Sequence, residues 1–162
     1  MMRAVLSIGS NLGDRAANLR GVVAGLGESV VAVSPLYATP PWGGVEQPDF
    51  YNAILIVETS RTPVQLLRAG LALEDAAYRR RATRWGPRTL DVDLVTCVVD
   101  GVEVRSDTEE LRLPHPHAAA RAFVLVPWLA VEPEAVLGGY RVAELVAGLD
   151  TSGIAMVAKE WV

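Results

Sequence analysis

The run Thr89-Leu90-Asp91-Val92-Asp93-Leu94 alternates apolar and acidic residues in a way that suits one kind of backbone. In a β-strand successive side chains point to opposite faces and the rise is about 3.3 Å per residue, so Asp91 and Asp93 share a face roughly 6.6 Å apart. Leu90, Val92 and Leu94 take the other face, which must rest on a core. Just before the strand, Arg79, Arg80, Arg81, Arg84 and Arg88 put five arginines into ten residues, and Gly86-Pro87 place a turn between the two sets of charge. Two carboxylates so spaced can share hard divalent cations, and guanidinium forks beside them can take the phosphate oxygens those cations neutralise. Alone, the acidic run would be a half-exposed strand and the arginines a solvated helix end. Their meeting at one strand end favours a metal-phosphate site.

Charge elsewhere argues against a broad anionic partner. The net charge is −4 and includes +5 from these arginines, so the rest of the chain carries −9. That leaves one focused anion site rather than an extended nucleic-acid surface. With 162 residues, 51% of them hydrophobic and 21% charged, a single soluble domain with a full core is expected. The one cysteine, Cys97, cannot form an intramolecular disulfide; it is expected in the core and suits a reducing compartment. The apolar run from Ala4 to Ile8 is too short for a signal peptide. Ala122 to Val131 is interrupted by Pro127 and too short to span a bilayer, so a cytoplasmic protein is expected.

Around the acidic strand the pattern predicts alternating elements. Arg3–Ile8 reads as a strand that runs into Gly9-Ser10-Asn11-Leu12-Gly13-Asp14, a turn rich in capping residues. Leu19, Val22, Val23 and Leu26 place a helix over about Asp14–Leu26, ended by Gly27. Val30–Thr39 reads as a second strand with an edge or bulge at Pro35, and the aperiodic stretch 40–48 as a loop long enough to be functional. Tyr51–Thr59 is apolar on both faces and therefore central. Thr62-Pro63-Val64-Gln65 is a capping box with proline at the first helical position. The stripe of the helix it starts is Val64, Leu67, Leu71, Glu74 and Tyr78, where Glu74 is either a surface residue out of phase or an organiser of the site. With Thr89–Thr96 as fourth strand, the order is the split βαββαβ of ferredoxin-like folds, an α+β architecture of mainly antiparallel sheet with helices on both faces. Asp100-Gly101 turns an added hairpin between 96–99 and 102–105. A short helical piece with Arg121 and Phe123, then a helix near Val142–Leu149, follow; beyond Asp150 no pattern is readable.

Several motifs recur together in a known family. Gly9-Ser10-Asn11-Leu12-Gly13, Tyr37-Ala38-Thr39-Pro40-Pro41, Gln47-Pro48-Asp49-Phe50-Tyr51-Asn52-Ala53, Arg84-Trp85-Gly86-Pro87-Arg88-Thr89-Leu90-Asp91-Val92-Asp93, and Pro114-His115 with Arg121-x-Phe123 stand in its order and spacing. From about Ala4 to Pro133 the chain resembles 6-hydroxymethyl-7,8-dihydropterin pyrophosphokinase of folate biosynthesis. The resemblance implies transfer of the pyrophosphoryl group of ATP, the co-substrate, to the pterin hydroxymethyl oxygen, with release of AMP. It implies two Mg²⁺ ions held by Asp91 and Asp93. Phosphate-contacting arginines fall at Arg79, Arg81, Arg84 and Arg88, with Arg79 and Arg88 beside the aspartates as catalytic residues, and Trp85 closes over the site. Leu94, Leu111, Arg112, His115 and Arg121 fall on the ATP side. Thr39, Pro40, Trp42, Phe50, Asn52, Asp91 and Phe123 fall around the pterin, joined by Trp85. The partners implied are small molecules, with no nucleic acid and no membrane, and a monomer is expected.

Attack at the β-phosphorus needs a bent triphosphate with its charge spread, which metals and guanidinium groups provide. No histidine or carboxylate stands out as a general base, so acidification of a metal-bound hydroxyl is expected. Asparagine carries donor and acceptor side by side, as a pterin edge does. Phe50 and Phe123 would bound a slot about 7 Å wide, twice a carbon contact distance. Asn52, two residues beyond Phe50 on the same strand face, would form its floor, with the aspartates at its mouth. Without the resemblance, His115 reads as a loop residue, Trp85 as a packing anchor and the phenylalanines as core; His117 is taken as surface. The segments 42–48 and 80–87 are expected to be loops that close when both substrates bind. Two other classes remain open on the residues alone. A single-strand nucleic-acid module is disfavoured by the acidic remainder and the lack of an aromatic-rich strand. A sugar-nucleotide transferase using Asp-x-Asp would bind a diphosphosugar in place of ATP.

Overall fold

The structure, a computed structural model, describes residues 1–41, 46–78 and 89–162, with Tyr78 as backbone only. The expectations for Trp42, Arg79, Arg81, Arg84, Trp85 and Arg88, and for loop closure at 42–45 and 80–87, lie outside the described residues.

In chain order, β1 (Met2–Ser10) leads to α1 (Arg15–Leu26), the short strands β2 (Val30–Val33) and β3 (Leu36–Thr39), the long β4 (Phe50–Thr59), α2 (Pro63–Tyr78) and β5 (Asp91–Val99). Next come β6 (Val102–Glu103), a ribbon of β7 (Ser106–Asp107) and β8 (Arg112–Leu113), and α3 (Ala122–Val131). A second ribbon of β9 (Val136–Leu137) and β10 (Tyr140–Arg141), then α4 (Val142–Ala147) and β11 (Ala155–Ala158), complete the order. The main sheet runs β11-β3-β4-β1-β5-β6, with β2 also on β4, and its pairings are antiparallel. Its centre, β5-β1-β4-β2/β3, is the ferredoxin-like arrangement expected from the element order.

Both faces of the sheet are covered, which is why β1 and β4 are apolar on both sides. Leu6, Ile8, Leu55 and Val57 pack with Leu19, Val22 and Leu66 of α1 and α2. Val5, Ile54, Ile56 and Val95 pack with Val124, Leu125 and Trp128 of α3 and Val142 of α4. Each such side chain contributes about 1.5–3 kcal/mol on burial. Cys97 is buried, as expected, and burial pushes its thiol pKa up to about 12.

Local chemistry sets the ends of the elements. Asp14 accepts the Ala17 N–H at 3.0 Å, and Gly27 ends α1 with φ 59°. The capping box forms in both directions: Thr62 Oγ1 accepts the Gln65 N–H at 3.2 Å and Gln65 Oε1 accepts the Thr62 N–H at 2.9 Å. Asp100 and Gly101, with φ 51° and 78°, make the tight turn between β5 and β6. The second strand differs from expectation in being two, because Ser34 and Pro35 leave the ladder: the Ser34 hydroxyl takes the Ile54 N–H at 2.8 Å. The stripe of α2 is also out of phase with the one expected. Among its described side chains the buried positions are Leu66 and Gly70, and Leu71 is 45% exposed; at Gly70 the helix lies so near β5 that a Cβ would stand 2.9 Å from Val92 Cγ1. In β5, Val95 is an extra residue, since Val5 pairs with Thr96 and Leu6 with Leu94. α3 runs through Pro127, making it longer than the short piece expected. The last stretch, unreadable in sequence, adds β11 to β3 and seats Trp161, whose indole N–H donates to Ser34 O at 2.8 Å. No helix among the described residues is long and apolar enough to cross a membrane.

Candidate active site

Because β1 lies between β4 and β5, each of its residues has a neighbour on both sides. Gly9 stands opposite Asn52 and Asp91, and Ser7 opposite Ile54 and Asp93. Opposed residues on antiparallel strands share a face, so Asn52, Gly9 and Asp91 form a row across three strands. The row is roughly 10 Å long at about 4.8 Å per strand. Gly9, in its middle, has no side chain, and the Asn52 amide leans over it: a Cβ on Gly9 would stand 2.7 Å from Asn52 Nδ2 and 3.7 Å from Phe50 Cδ1. Phe50 and Phe123 are half-buried rather than core, and both line a cavity of about 540 Å³ over this row, with Thr39, Pro40, Asn52, Asp91 and Asp93. That volume is within the range of small-molecule sites.

Buried amides hold the strand ends that carry these side chains. Asn11, fully buried, donates to Gln47 Oε1 at 2.9 Å and Pro48 O at 3.3 Å, tying the turn after β1 to the segment that leads into Phe50. Arg15 donates to Asp49 O at 2.9 Å and lies 3.9 Å from the Tyr51 ring centroid. Asn18 donates to Leu12 O at 2.9 Å and Thr89 O at 3.3 Å, so the same turn also fixes the approach to Asp91. The Thr39 hydroxyl donates to Asn52 Oδ1 at 2.6 Å. That bond sets the amide's orientation and turns its NH₂ toward the space above Gly9.

A second cavity, of about 560 Å³, lies beyond the aspartates. Leu94, Leu111, Arg112, His115 and Arg121, expected on one side of the site, all line it, together with Leu67, Leu71 and Glu74. Asp91, Asp93, His117 and Arg121 line both cavities and form the wall between them. Arg121 reaches over the Phe123 ring, 5.6 Å from its centroid. His115 Nδ1 accepts the His117 backbone N–H at 3.2 Å, which leaves the proton of the neutral ring on Nε2. Burial lowers the pKa of His115 against an opposing pull from Asp93, so the ring is neutral near pH 7.

Several lining residues lie outside the set expected from sequence. His117, taken as surface, is exposed but sits at the mouth of both cavities. Ser7 and Gly9 carried a signal, since the alternation of β1 puts them on the aspartate face once the register is known. Glu74, half-buried one turn beyond Gly70, accepts the Val92 N–H at 2.7 Å and so is attached to the strand between the two aspartates. Among the described residues no group of three or more His, Cys, Asp or Glu could hold a metal alone. Two half-exposed carboxylates facing a cavity are instead the donor set of Mg²⁺ sites completed by substrate phosphates, and the residues present fit that ion.

Known proteins are similar to this chain in sequence and in fold. The profile of the 7,8-dihydro-6-hydroxymethylpterin-pyrophosphokinase (HPPK) family matches residues 5–133. A protein of Mycobacterium tuberculosis (strain ATCC 25618 / H37Rv) called 2-amino-4-hydroxy-6-hydroxymethyldihydropteridine pyrophosphokinase is 52% identical over 143 residues, covering 85% of this chain and 76% of that one. One of the same description from Methylorubrum extorquens is 47% identical over 161 residues, covering 97% and 99%. In fold, a solved Plasmodium falciparum HPPK-DHPS chain superposes with a TM-score of 0.65 at 14% identity, covering 90% of this chain. The present chain spans 44% of that longer one. The chain therefore belongs to the 7,8-dihydro-6-hydroxymethylpterin-pyrophosphokinase family.

Proposed function

We propose that this protein transfers the pyrophosphoryl group of ATP to the hydroxymethyl oxygen of 6-hydroxymethyl-7,8-dihydropterin, releasing AMP, with Asp91 and Asp93 holding two Mg²⁺ ions between the substrates. What carries this reading is the wall common to the two cavities, because a group can pass between two ligands only where both reach the same residues. The pterin ring lies over Gly9, between Phe50 and Phe123, with one edge on the Asn52 amide. Its hydroxymethyl end then points along the row toward Asp91. The nucleotide takes the second cavity, against Leu67, Leu71 and Leu111. There the Nε2–H of His115 and the guanidinium of Arg121 donate to its oxygens, and the charged donor makes the stronger bond.

When bound, Mg²⁺ neutralises triphosphate charge and acidifies the pterin hydroxyl. The pterin oxygen bonds to the β-phosphorus as the bond from that phosphorus to the oxygen bridging the α-phosphorus breaks; AMP leaves with the bridging oxygen and the hydroxyl proton passes to solvent. Asn52, the two phenylalanines and Arg121 supply position, holding the reacting atoms in line. The reading takes the chain to act as a monomer in the cytoplasm on small molecules, without nucleic acid or membrane. Purified protein should form AMP and pterin diphosphate one for one from ATP only when the pterin alcohol is added. ADP as product, or nucleotide cleavage indifferent to the pterin, would refute the proposal.

A further inference from the structure

β5 is paired along its inner edge by β1, but on its outer edge β6 reaches only Val98 and Val99. At the aspartate end, among the described residues, the outer edge is taken by single groups. Glu74 Oε1 accepts the Val92 N–H at 2.7 Å, and the His115 backbone N–H donates to Val95 O at 2.8 Å. Val92 is the residue between Asp91 and Asp93, with its side chain on the opposite, buried face. Gly70, one turn before Glu74 on the same helix face, receives that side chain: a Cβ on Gly70 would lie 2.9 Å from Val92 Cγ1 and 3.5 Å from Val92 Cβ. α2 thus takes Val92 on two sides, its side chain at Gly70 and its amide at Glu74.

We infer that Glu74 is a positioning residue for the aspartate pair, fixing the β5 backbone between Asp91 and Asp93 through the Val92 amide, with Gly70 setting the approach of α2 that makes this contact possible. A carboxylate acceptor makes a stronger bond to a backbone N–H than a neutral group does. It replaces a neighbouring strand at the one place where the strand must not drift. The inference rests on the reading of Asp91 and Asp93 as Mg²⁺ ligands, and its test separates the two.

Mn²⁺ binding with a non-hydrolysable ATP analogue, followed by electron paramagnetic resonance, and amide exchange at Val92 are measured in wild type, Asp93→Asn, Glu74→Ala and Glu74→Gln. Glu74→Ala should speed exchange at Val92 and weaken Mn²⁺ binding roughly 10- to 100-fold, the usual cost of losing support behind a metal ligand. Glu74→Gln keeps an acceptor oxygen and should hold most of the protection and affinity. Gly70→Ala, with Glu74 untouched, should reproduce the loss, and Val92→Ala added to it should restore binding by making room; this pair carries the test if Glu74→Ala does not fold. Unchanged Mn²⁺ binding in Asp93→Asn would refute the metal reading and this inference with it. Weakened binding there, beside wild-type binding in Glu74→Ala or equal loss in Glu74→Ala and Glu74→Gln, would overturn this inference alone.

Discussion

Gly9→Ala tests the row on which the pterin is placed. Gly9 has no positive φ, so alanine fits the strand backbone, and the exchange stabilises a strand by roughly 0.5–1 kcal/mol where there is room. Here the new methyl would meet Asn52 Nδ2 at 2.7 Å, so the amide must retreat by roughly 0.8 Å to reach a normal contact of about 3.5 Å. The 2.6 Å bond from Thr39 that orients Asn52 is strained or lost by such a shift, and with it the donor offered to the ring. Leaving a buried polar group without its partner costs about 1–3 kcal/mol. At about 1.4 kcal/mol per decade this raises KM for the pterin roughly 5- to 140-fold. KM for ATP should stay where it was, since Gly9 lines only the cavity over Asn52. Steady-state kinetics in each substrate, with a thermal melt, separates the cases. An unchanged KM for the pterin, or an equal rise for both substrates, would refute this placement.

Burial lowers the pKa of His115, and the sign of its linkage follows. In the unfolded chain the ring titrates near 6.5; the folded state prefers it neutral, so its contribution to stability is full above about pH 6.5 and is lost as pH falls through the lower folded value. An NMR titration should place the His115 midpoint below that of an exposed histidine, and the stability of wild type over His115→Gln should shrink from pH 8 to pH 5; growth on acidification would contradict this. Trp161→Ala should destabilise by about 3–5 kcal/mol in urea, since the indole is buried and bonded to Ser34 O. A loss below about 1 kcal/mol would show that the C-terminal segment does not hold the sheet.

Much of the fold was legible because local and global signals agreed. The capping box at Thr62, the doubly apolar β4 and the alternation in β5 each report burial that the sheet then supplies. The phase of α2 was not legible, because a close approach to β5 is made at Gly70, whose missing side chain leaves no hydrophobic mark. β11 was hidden for a different reason: Ala155–Ala158 is a short edge strand with no period of its own, formed by pairing with β3. Asn52, Phe50, Phe123 and the aspartates stood out by type and motif, and the fold brings them to one cavity. Gly9 falls into the row only through the cross-strand register, and Glu74 comes to β5 only through its bond to the Val92 amide.

The most direct test of the account is pterin-dependent AMP formation by Asp91→Ala and Asp93→Ala beside wild type, with a melt on each protein. Both side chains are half-exposed and each faces the two cavities, so removal should leave the fold near wild type. Turnover should fall by at least about 10²–10³-fold, the loss seen when one group stabilising transition-state charge is removed. Near-normal turnover in either folded variant would contradict the assignment of the shared wall as the place of reaction.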